Sequence, residues 1–135
     1  MRKLDIKYLR MAQIWAENSY AKRKQVGSLI VKDRTIIADG YNGTPKGFDN
    51  NCEGPNGETL WYVLHAEANA LTKLARSNQS AEGATLYITL SPCKNCSKLI
   101  LQCGISRVVY IKEHSDREGL DFLISAGVEV EQVDV

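Results

Sequence analysis

The sequence feature that most constrains the fold is the run ATLYITL, which is almost entirely apolar and rich in β-favouring residues. Strands of this kind are buried on both faces of a sheet, and they are typical of parallel sheets covered by helices. A helical stretch, SPCKNCSKLILQCG, and a second apolar run, RVVYI, follow directly. Because strands that alternate with helices pair in parallel through right-handed crossovers, the sequence predicts an α/β fold.

The remaining elements extend this alternation in both directions. Apolar residues at helical spacing predict a first helix, and VGSLIV and TIIADG predict a hairpin around the turn KDR. A helix from about His65 to Arg76 precedes ATLYITL, and Ser91 is the expected N-cap of the helix after it. DREGLDFLISAG and VEVEQV predict a last helix and a closing strand. We therefore expect one domain over residues 1–135, a mixed five-stranded sheet with helices on both faces in the order α-β-β-α-β-α-β-α-β.

Charge and hydropathy exclude some classes of protein. The formal net charge of +1 argues against binding nucleic acid through a basic surface alone. The basic first residues are not followed by the apolar core of a signal peptide, and no later run has the length of a membrane span. We therefore expect a cytoplasmic protein with no membrane or nucleic-acid partner. In a reducing compartment, its four cysteines suggest metal binding or catalysis rather than disulfides.

Two short motifs open predicted helices, and α/β sheets tend to place their sites at such junctions. One is His65-Ala66-Glu67, and the other is PCKNC, which contains Cys93 and Cys96. The N–H groups and positive dipole end of a helix N-terminus favour thiolate. Two thiolates and one imidazole are a tetrahedral zinc set with one position open for water, which is typical of catalytic zinc.

Glu67 is not expected to be a fourth ligand, because residues two apart on a helix point to different sides. A glutamate in the first turn could instead move protons beside the metal. Each motif alone has a plainer interpretation, a redox pair or two small buried residues for the cysteines and chance for H-x-E. Together they match the zinc-deaminase signature H-x-E…P-C-x-x-C.

Longer segments carry a resemblance over nearly the whole chain. VGSLIVKD, GYNGTPKGF, HAEANAL and TLYITLSPCKNC resemble the deoxycytidylate (dCMP) deaminases of the zinc-dependent cytidine/deoxycytidylate deaminase superfamily. HAE and PCxxC are shared with deaminases of tRNA adenosine, guanine and a riboflavin precursor, whereas GYNGTPKGF is similar to the substrate loop of dCMP deaminases. The resemblance implies a cytidine-deaminase-like three-layer fold with a parallel last strand, and hydrolysis of dCMP to dUMP and ammonia.

The resemblance also implies roles for individual residues. One zinc ion would be bound by His65, Cys93 and Cys96, with Glu67 as the proton shuttle. It further implies a homo-oligomer such as a hexamer, and Mg²⁺ accompanying a regulatory nucleotide. The expected substrate contacts are Val26, Asn42, Ala66, Leu90, Ser91 and His114. The candidates for binding the 5′-phosphate are Arg23, Lys24 and Lys46, although a basic run is more often a solvated turn.

Other interpretations stay open at this point. A tRNA adenosine deaminase or a deaminase of the free nucleoside would share the zinc chemistry. A structural zinc module would use Cys52 or Cys103 as a fourth ligand, although we expect Cys103 to be packed and Cys52 to be a free thiol near the site. Trp61 and Tyr62 are expected to serve packing or a subunit contact rather than substrate stacking.

Overall fold

A computed structural model describes residues 2–135 and contains one five-stranded sheet with the strand order β2-β1-β3-β4-β5. The element order is the predicted one. The helices are α1 (Arg2–Ala16), α2 (Ala66–Ala75), α3 (Lys94–Gln102) and α4 (Glu118–Ser125). The strands are β1 (Gly27–Lys32), β2 (Thr35–Tyr41), β3 (Thr85–Leu90), β4 (Arg107–Lys112) and β5 (Glu129–Gln132). Across residues 2–135, every helix is too short or too polar to cross a bilayer.

The sheet is mixed because its first two strands form a hairpin. β1 pairs antiparallel with both β2 and β3, whereas β3, β4 and β5 are parallel. The hairpin turn places Asp33 and Arg34 at positive φ, 50° and 63°, as a tight turn between twisted strands requires. The parallel pairing predicted for the last three strands is therefore confirmed.

Helices cover both faces of the sheet, as predicted. On one face α1 packs Leu9 and Ala12 against Tyr87 of β3. On the other face the remaining three helices pack against Leu86 and Ile88 of the same strand. Successive residues of β3 thus point into two different cores, which explains why ATLYITL is apolar throughout. Full burial of each such aliphatic side chain stabilises the fold by about 1.5–3 kcal/mol.

The start of α3 differs from the prediction. Its N-cap is Cys93, whose Sγ accepts the backbone N–H of Cys96 at 3.5 Å. The assignment of Ser91 as the N-cap is wrong by two residues, because a thiol takes the role that a hydroxyl usually fills. Ser91 is instead buried, and its Oγ accepts the backbone N–H of His114 at 2.7 Å.

An ion pair inside the fold ties α1 to the sheet. The Asp5 carboxylate is only 1% exposed and receives two hydrogen bonds from the Arg107 guanidinium, at 2.9 and 2.7 Å. The Tyr87 hydroxyl donates to the same carboxylate at 2.6 Å. The hydrogen bonds from Arg107 hold the pKa of Asp5 below its ordinary value, and they outweigh the opposite effect of burial.

We expect Asp5→Ala to lower the free energy of unfolding by about 3–5 kcal/mol, because it leaves Arg107 without its buried partner. Asp121→Ala is the matched control, since Asp121 forms an exposed pair with Arg117 that is worth about 0–1 kcal/mol. A carboxyl with a depressed folded-state pKa contributes stability above its unfolded pKa of about 3.9, and the contribution is lost as the pH falls through the lower folded value. Urea denaturation at pH 7 and pH 3 should therefore show the difference between parent and variant shrinking in acid. Equal stability of the two proteins at pH 7 would contradict this role.

Candidate active site

Three metal-ligating side chains converge where α2 and α3 begin. The Nδ1 atom of His65 lies 3.6 Å from Sγ of Cys93 and 3.4 Å from Sγ of Cys96. Each residue offers one ligand atom, and the three atoms lie within 4.8 Å of one another. Tetrahedral zinc, with Zn–S of about 2.3 Å and Zn–N of about 2.0–2.1 Å, separates a sulfur from a nitrogen ligand by about 3.6 Å. The donor set and its spacing therefore fit zinc.

Two glycines allow the helices that carry these ligands to pack closely. A Cβ at Gly40 of β2 would come within 2.4 Å of the Ala66 carbonyl oxygen at the start of α2. A Cβ at Gly119 of α4 would come within 2.5 Å of the Pro92 carbonyl oxygen, immediately before Cys93. Because backbone cannot yield as a flexible side chain can, these contacts fix the start of each helix against a neighbouring element. Ser28 adds a hydrogen bond from its hydroxyl to the Ala66 carbonyl at 3.0 Å.

The electrostatics of the cluster favour a thiolate at Cys93. Hydrogen bonds from Cys96 and His65 hold the pKa of the Cys93 thiol far below its usual value. The same contact with Cys93, together with burial, raises the pKa of Cys96, and the contact with Cys93 raises the pKa of His65. Metal ligands are deprotonated when they bind, so an ion at this site replaces the shared protons.

Glu67 lies one turn into α2 and is almost fully buried, with 3% of its surface exposed. This burial raises the pKa of its carboxyl group to about 7, against the lowering effect of His65. Its neighbours include Cys96 and Cys93 of the metal cluster. A carboxyl group in this setting can both accept and release a proton near neutral pH.

The cluster opens into a cavity of about 220 Å³. Arg23 and Lys24, two of the three candidates for phosphate binding, line it, and the third, Lys46, is not among its lining residues. Every residue expected to contact the substrate lines this cavity, namely Val26, Asn42, Ala66, Leu90, Ser91 and His114. The structure thus brings these residues together, while their individual roles stay predictions.

Asn42 holds the cavity wall as well as facing the cavity. Its Oδ1 accepts the backbone N–H of Val26 at 2.8 Å, and its Nδ2 donates to the carbonyl of Lys24 at 2.8 Å. An asparagine amide has two N–H groups and two acceptor lone pairs, so one of each remains for a ligand. The predicted sugar contact and the wall contact are therefore compatible.

His114 is held in one orientation by its own turn. Its backbone N–H donates to Ser91, and its Nδ1 accepts the backbone N–H of Asp116 at 3.0 Å. Because Nδ1 is the acceptor, the proton of the neutral ring is on Nε2. The side chain therefore offers the cavity a donor rather than only the aromatic face that the resemblance suggested.

The structure corrects two expectations about cysteine and tryptophan packing. Cys103 is exposed rather than packed, because α3 ends at Gln102 and the chain turns at Gly104 with a φ of 89°. Trp61 is 92% exposed, so packing within the chain does not explain it. Cys52 is buried and lines the cavity, which confirms its expected position near the site. In the described part of the chain neither Cys52 nor Cys103 joins the three-residue cluster, so a closed four-ligand site is not formed.

Sequence reasoning missed Glu53, which is buried and lines the same cavity. The residue lies in a loop rich in Gly, Asn and Pro, where an acidic side chain is ordinarily solvated. Its position beside Cys52 was the only available signal. The burial depends on contacts with Lys22 and Arg23, about thirty residues earlier in the sequence, which no local pattern reveals.

Comparisons with known proteins agree with this geometry. Residues 2–112 match the family model of the cytidine and deoxycytidylate deaminase zinc-binding region. The chain is 40% identical over 123 residues to the deoxycytidylate deaminase of Mycobacterium phage D29, covering 81% of this chain and 94% of the phage protein. It is 36% identical over 138 residues to the deoxycytidylate deaminase of Saccharomyces cerevisiae, covering 95% of this chain but only 44% of the yeast protein.

A solved structure is similar over almost the full length. The dCMP deaminase of cyanophage S-TIM5, crystallised in complex with dCMP and dUMP, superposes with a TM-score of 0.95 at 44% identity, covering 97% of each chain. The sheet order and parallel last strands seen here agree with that fold.

Proposed function

The chain belongs to the cytidine and deoxycytidylate deaminase family, and from that premise we propose that it hydrolyses dCMP to dUMP and ammonia with one bound zinc ion. The observation that carries the proposal is the buried Glu67 beside the cluster of His65, Cys93 and Cys96, at the floor of a cavity of nucleotide size. A structural zinc site would have no use for a buried carboxyl group at that position.

The zinc ion, when bound by these side chains, supplies a Lewis acid and an activated water molecule. The chain contributes proton transfer and orientation. Glu67 would take a proton from the water, pass it to the ring nitrogen of the pyrimidine, and return a proton to the departing ammonia. The backbone at Ala66 and around Leu90 and Ser91 would hydrogen-bond the pyrimidine edge, so that the amine-bearing carbon faces the metal.

The opposite end of the nucleotide would be bound by the segment before β1. Arg23 and Lys24 both line the cavity and carry positive charge that suits a 5′-phosphate. Arginine offers the bidentate geometry that phosphate favours. Of the two, we therefore propose Arg23 as the principal phosphate ligand, with Lys24 as a second positive charge.

Further features of the proposal concern surroundings rather than chemistry. We propose a homo-oligomer, supported by the exposed Trp61 and its edge-on contact with Tyr62 at 5.7 Å between ring centroids. Regulation by a nucleotide with Mg²⁺, and hexameric assembly in particular, stay predictions from the resemblance. We also propose a cytoplasmic location, since the metal cluster needs reduced thiols and the four cysteines are free.

Side-by-side assays of dCMP, CMP, dCTP, deoxycytidine and guanine test the substrate. With purified zinc-loaded protein, we expect ammonia release to be fastest from dCMP by at least about tenfold in kcat/KM, because only this substrate satisfies both the phosphate and the sugar contacts. Arg23→Ala should reduce kcat/KM for dCMP but leave the slow rate with deoxycytidine unchanged. Preferred turnover of an unphosphorylated substrate would overturn the assignment of the nucleotide.

A further inference from the structure

Glu53 is a buried carboxylate with one oxygen that lacks a partner. The side chain is 9% exposed, and its Oε2 accepts the backbone N–H of Lys22 at 2.9 Å and that of Arg23 at 3.4 Å. Its Oε1 is buried and forms no hydrogen bond with the described residues. A buried acceptor without a donor is costly, especially when it is charged, so a native site normally supplies one.

The loop that carries Glu53 is held firmly in place. The backbone N–H of Leu60 donates to the carbonyl of Cys52 at 2.8 Å, and Glu53 forms a bridge with Thr59. Cys52 also packs in a small core with Ala21, in the segment before β1. The carboxylate is therefore positioned by its surroundings, and folding of the loop alone does not supply the missing donor.

Glu53 reaches the same cavity as the metal cluster. It shares the lining with Arg23, Lys24 and Asn42, and Glu67 lies on the floor. A donor for the unpaired oxygen can therefore come from a ligand in this cavity. Because the two flanking cations line the cavity as well, a phosphate and a carboxylate acceptor can be served by neighbouring parts of one wall.

The chemistry of a deoxynucleotide leaves one suitable donor. Its phosphate is an anion, and the ring carbonyl and the ring nitrogen are acceptors, so none of these can donate to a carboxylate. The exocyclic amine is a donor, but deamination requires it to lie at the metal cluster beside Glu67. The remaining donor is the 3′-hydroxyl of the sugar.

Resting on the function proposed above, we propose that Glu53 is a specificity-determining residue that accepts a hydrogen bond from the 3′-hydroxyl of the substrate. The same carboxylate excludes nucleotides whose 3′-oxygen is phosphorylated, because such an oxygen has no hydrogen and brings a second negative charge. A cytosine inside a polynucleotide has a phosphodiester at this position. Glu53 therefore restricts the cavity to mononucleotides.

The test compares dCMP with 2′,3′-dideoxycytidine 5′-monophosphate and with deoxycytidine 3′,5′-bisphosphate. For the parent protein we expect kcat/KM to favour dCMP over the dideoxynucleotide by about tenfold to a hundredfold, the usual effect of a hydrogen bond to a charged group. In Glu53→Ala this preference should fall to within about threefold, because the hydroxyl has lost its acceptor. Glu58→Gln, an exposed residue of the same loop outside the cavity lining, is the matched control and should keep the parent's preference.

Glu53→Gln guards against misfolding of the alanine variant. Its amide oxygen can still accept the backbone N–H groups of Lys22 and Arg23, while the negative charge is removed. We expect this variant to narrow the preference for dCMP over the 3′,5′-bisphosphate by about tenfold or more, since an amide N–H can donate to a phosphate. Thermal unfolding and zinc content are measured on every variant.

The outcomes separate this inference from the proposed function. If the parent deaminates dCMP but does not distinguish the dideoxynucleotide, or if Glu53→Ala and Glu53→Gln both keep the parent's preferences, the role of Glu53 is overturned and the deaminase assignment stands. If the parent deaminates no nucleotide, calorimetric binding of dUMP and 2′,3′-dideoxyuridine 5′-monophosphate to parent and Glu53→Ala decides the role of Glu53. Equal affinities there, or no binding of dUMP, would overturn it.

Discussion

Glu67→Gln is expected to keep its zinc and to lose turnover of dCMP by about 10²–10⁴-fold in kcat. The amide has nearly the same shape as the carboxyl group, so the buried position next to the metal cluster stays filled. It cannot take up a proton from water or deliver one to the substrate, and both transfers are assigned to this side chain. Metal analysis, dUMP binding and single-turnover rates, measured on the same preparation, separate loss of proton transfer from loss of the site.

The control for this prediction is Glu58→Gln, which makes the same chemical change at an exposed position. It should leave zinc content and kcat at the parent values. If Glu67→Gln turned over dCMP at close to the parent rate, another group would have to move the protons. If the variant lost its zinc, Glu67 would be a support of the metal site rather than the shuttle.

Cys96→Ser is expected to purify with little zinc and without measurable deamination. Cys96 is buried between His65 and Cys93, and a serine hydroxyl is a much weaker zinc ligand than a thiolate. Because metal binding is coupled to folding, the variant should also unfold at a lower temperature than the parent, and added zinc should restore little of the difference. Metal analysis by mass spectrometry and thermal unfolding with and without chelator provide the measurements.

Cys103→Ser is the matched control for the cysteine substitution. Cys103 is exposed and lies just past the end of α3, outside the ligand cluster. This variant should keep one zinc per chain, the parent's melting temperature and the parent's activity. Retention of zinc by Cys96→Ser at the parent level, or its loss from Cys103→Ser, would contradict the ligand assignment.

The sequence predicted the elements of the fold because their signals are local. An apolar run such as ATLYITL indicates a strand buried on both faces without knowledge of its neighbours. The alternation of strands and helices then predicted the parallel pairing of β3, β4 and β5. The antiparallel pairing of β1 with β3 and the ion pair between Asp5 and Arg107 depend on residues far apart in the chain, so periodicity alone does not show them.

The candidate site was predictable to the extent that its residues form short motifs. His65 and Glu67 lie two apart, and Cys93 and Cys96 lie three apart, so both motifs are visible as patterns. Glu53 has no such pattern, and only the folded loop shows that its carboxylate is buried. The N-cap of α3 was misplaced because propensity favours serine, whereas the structure uses the thiol of a metal ligand.

The most direct test of the account is a zinc titration of metal-free protein, with dUMP formation from dCMP as the readout. Zinc is removed with a chelator, zinc is added back in fractions of one equivalent, and the initial rate is measured at each step. The account predicts negligible dUMP without zinc, a linear rise, and a plateau at one zinc ion per chain. Formation of dUMP at the full rate by metal-free protein, or full zinc occupancy without any dUMP, would contradict it.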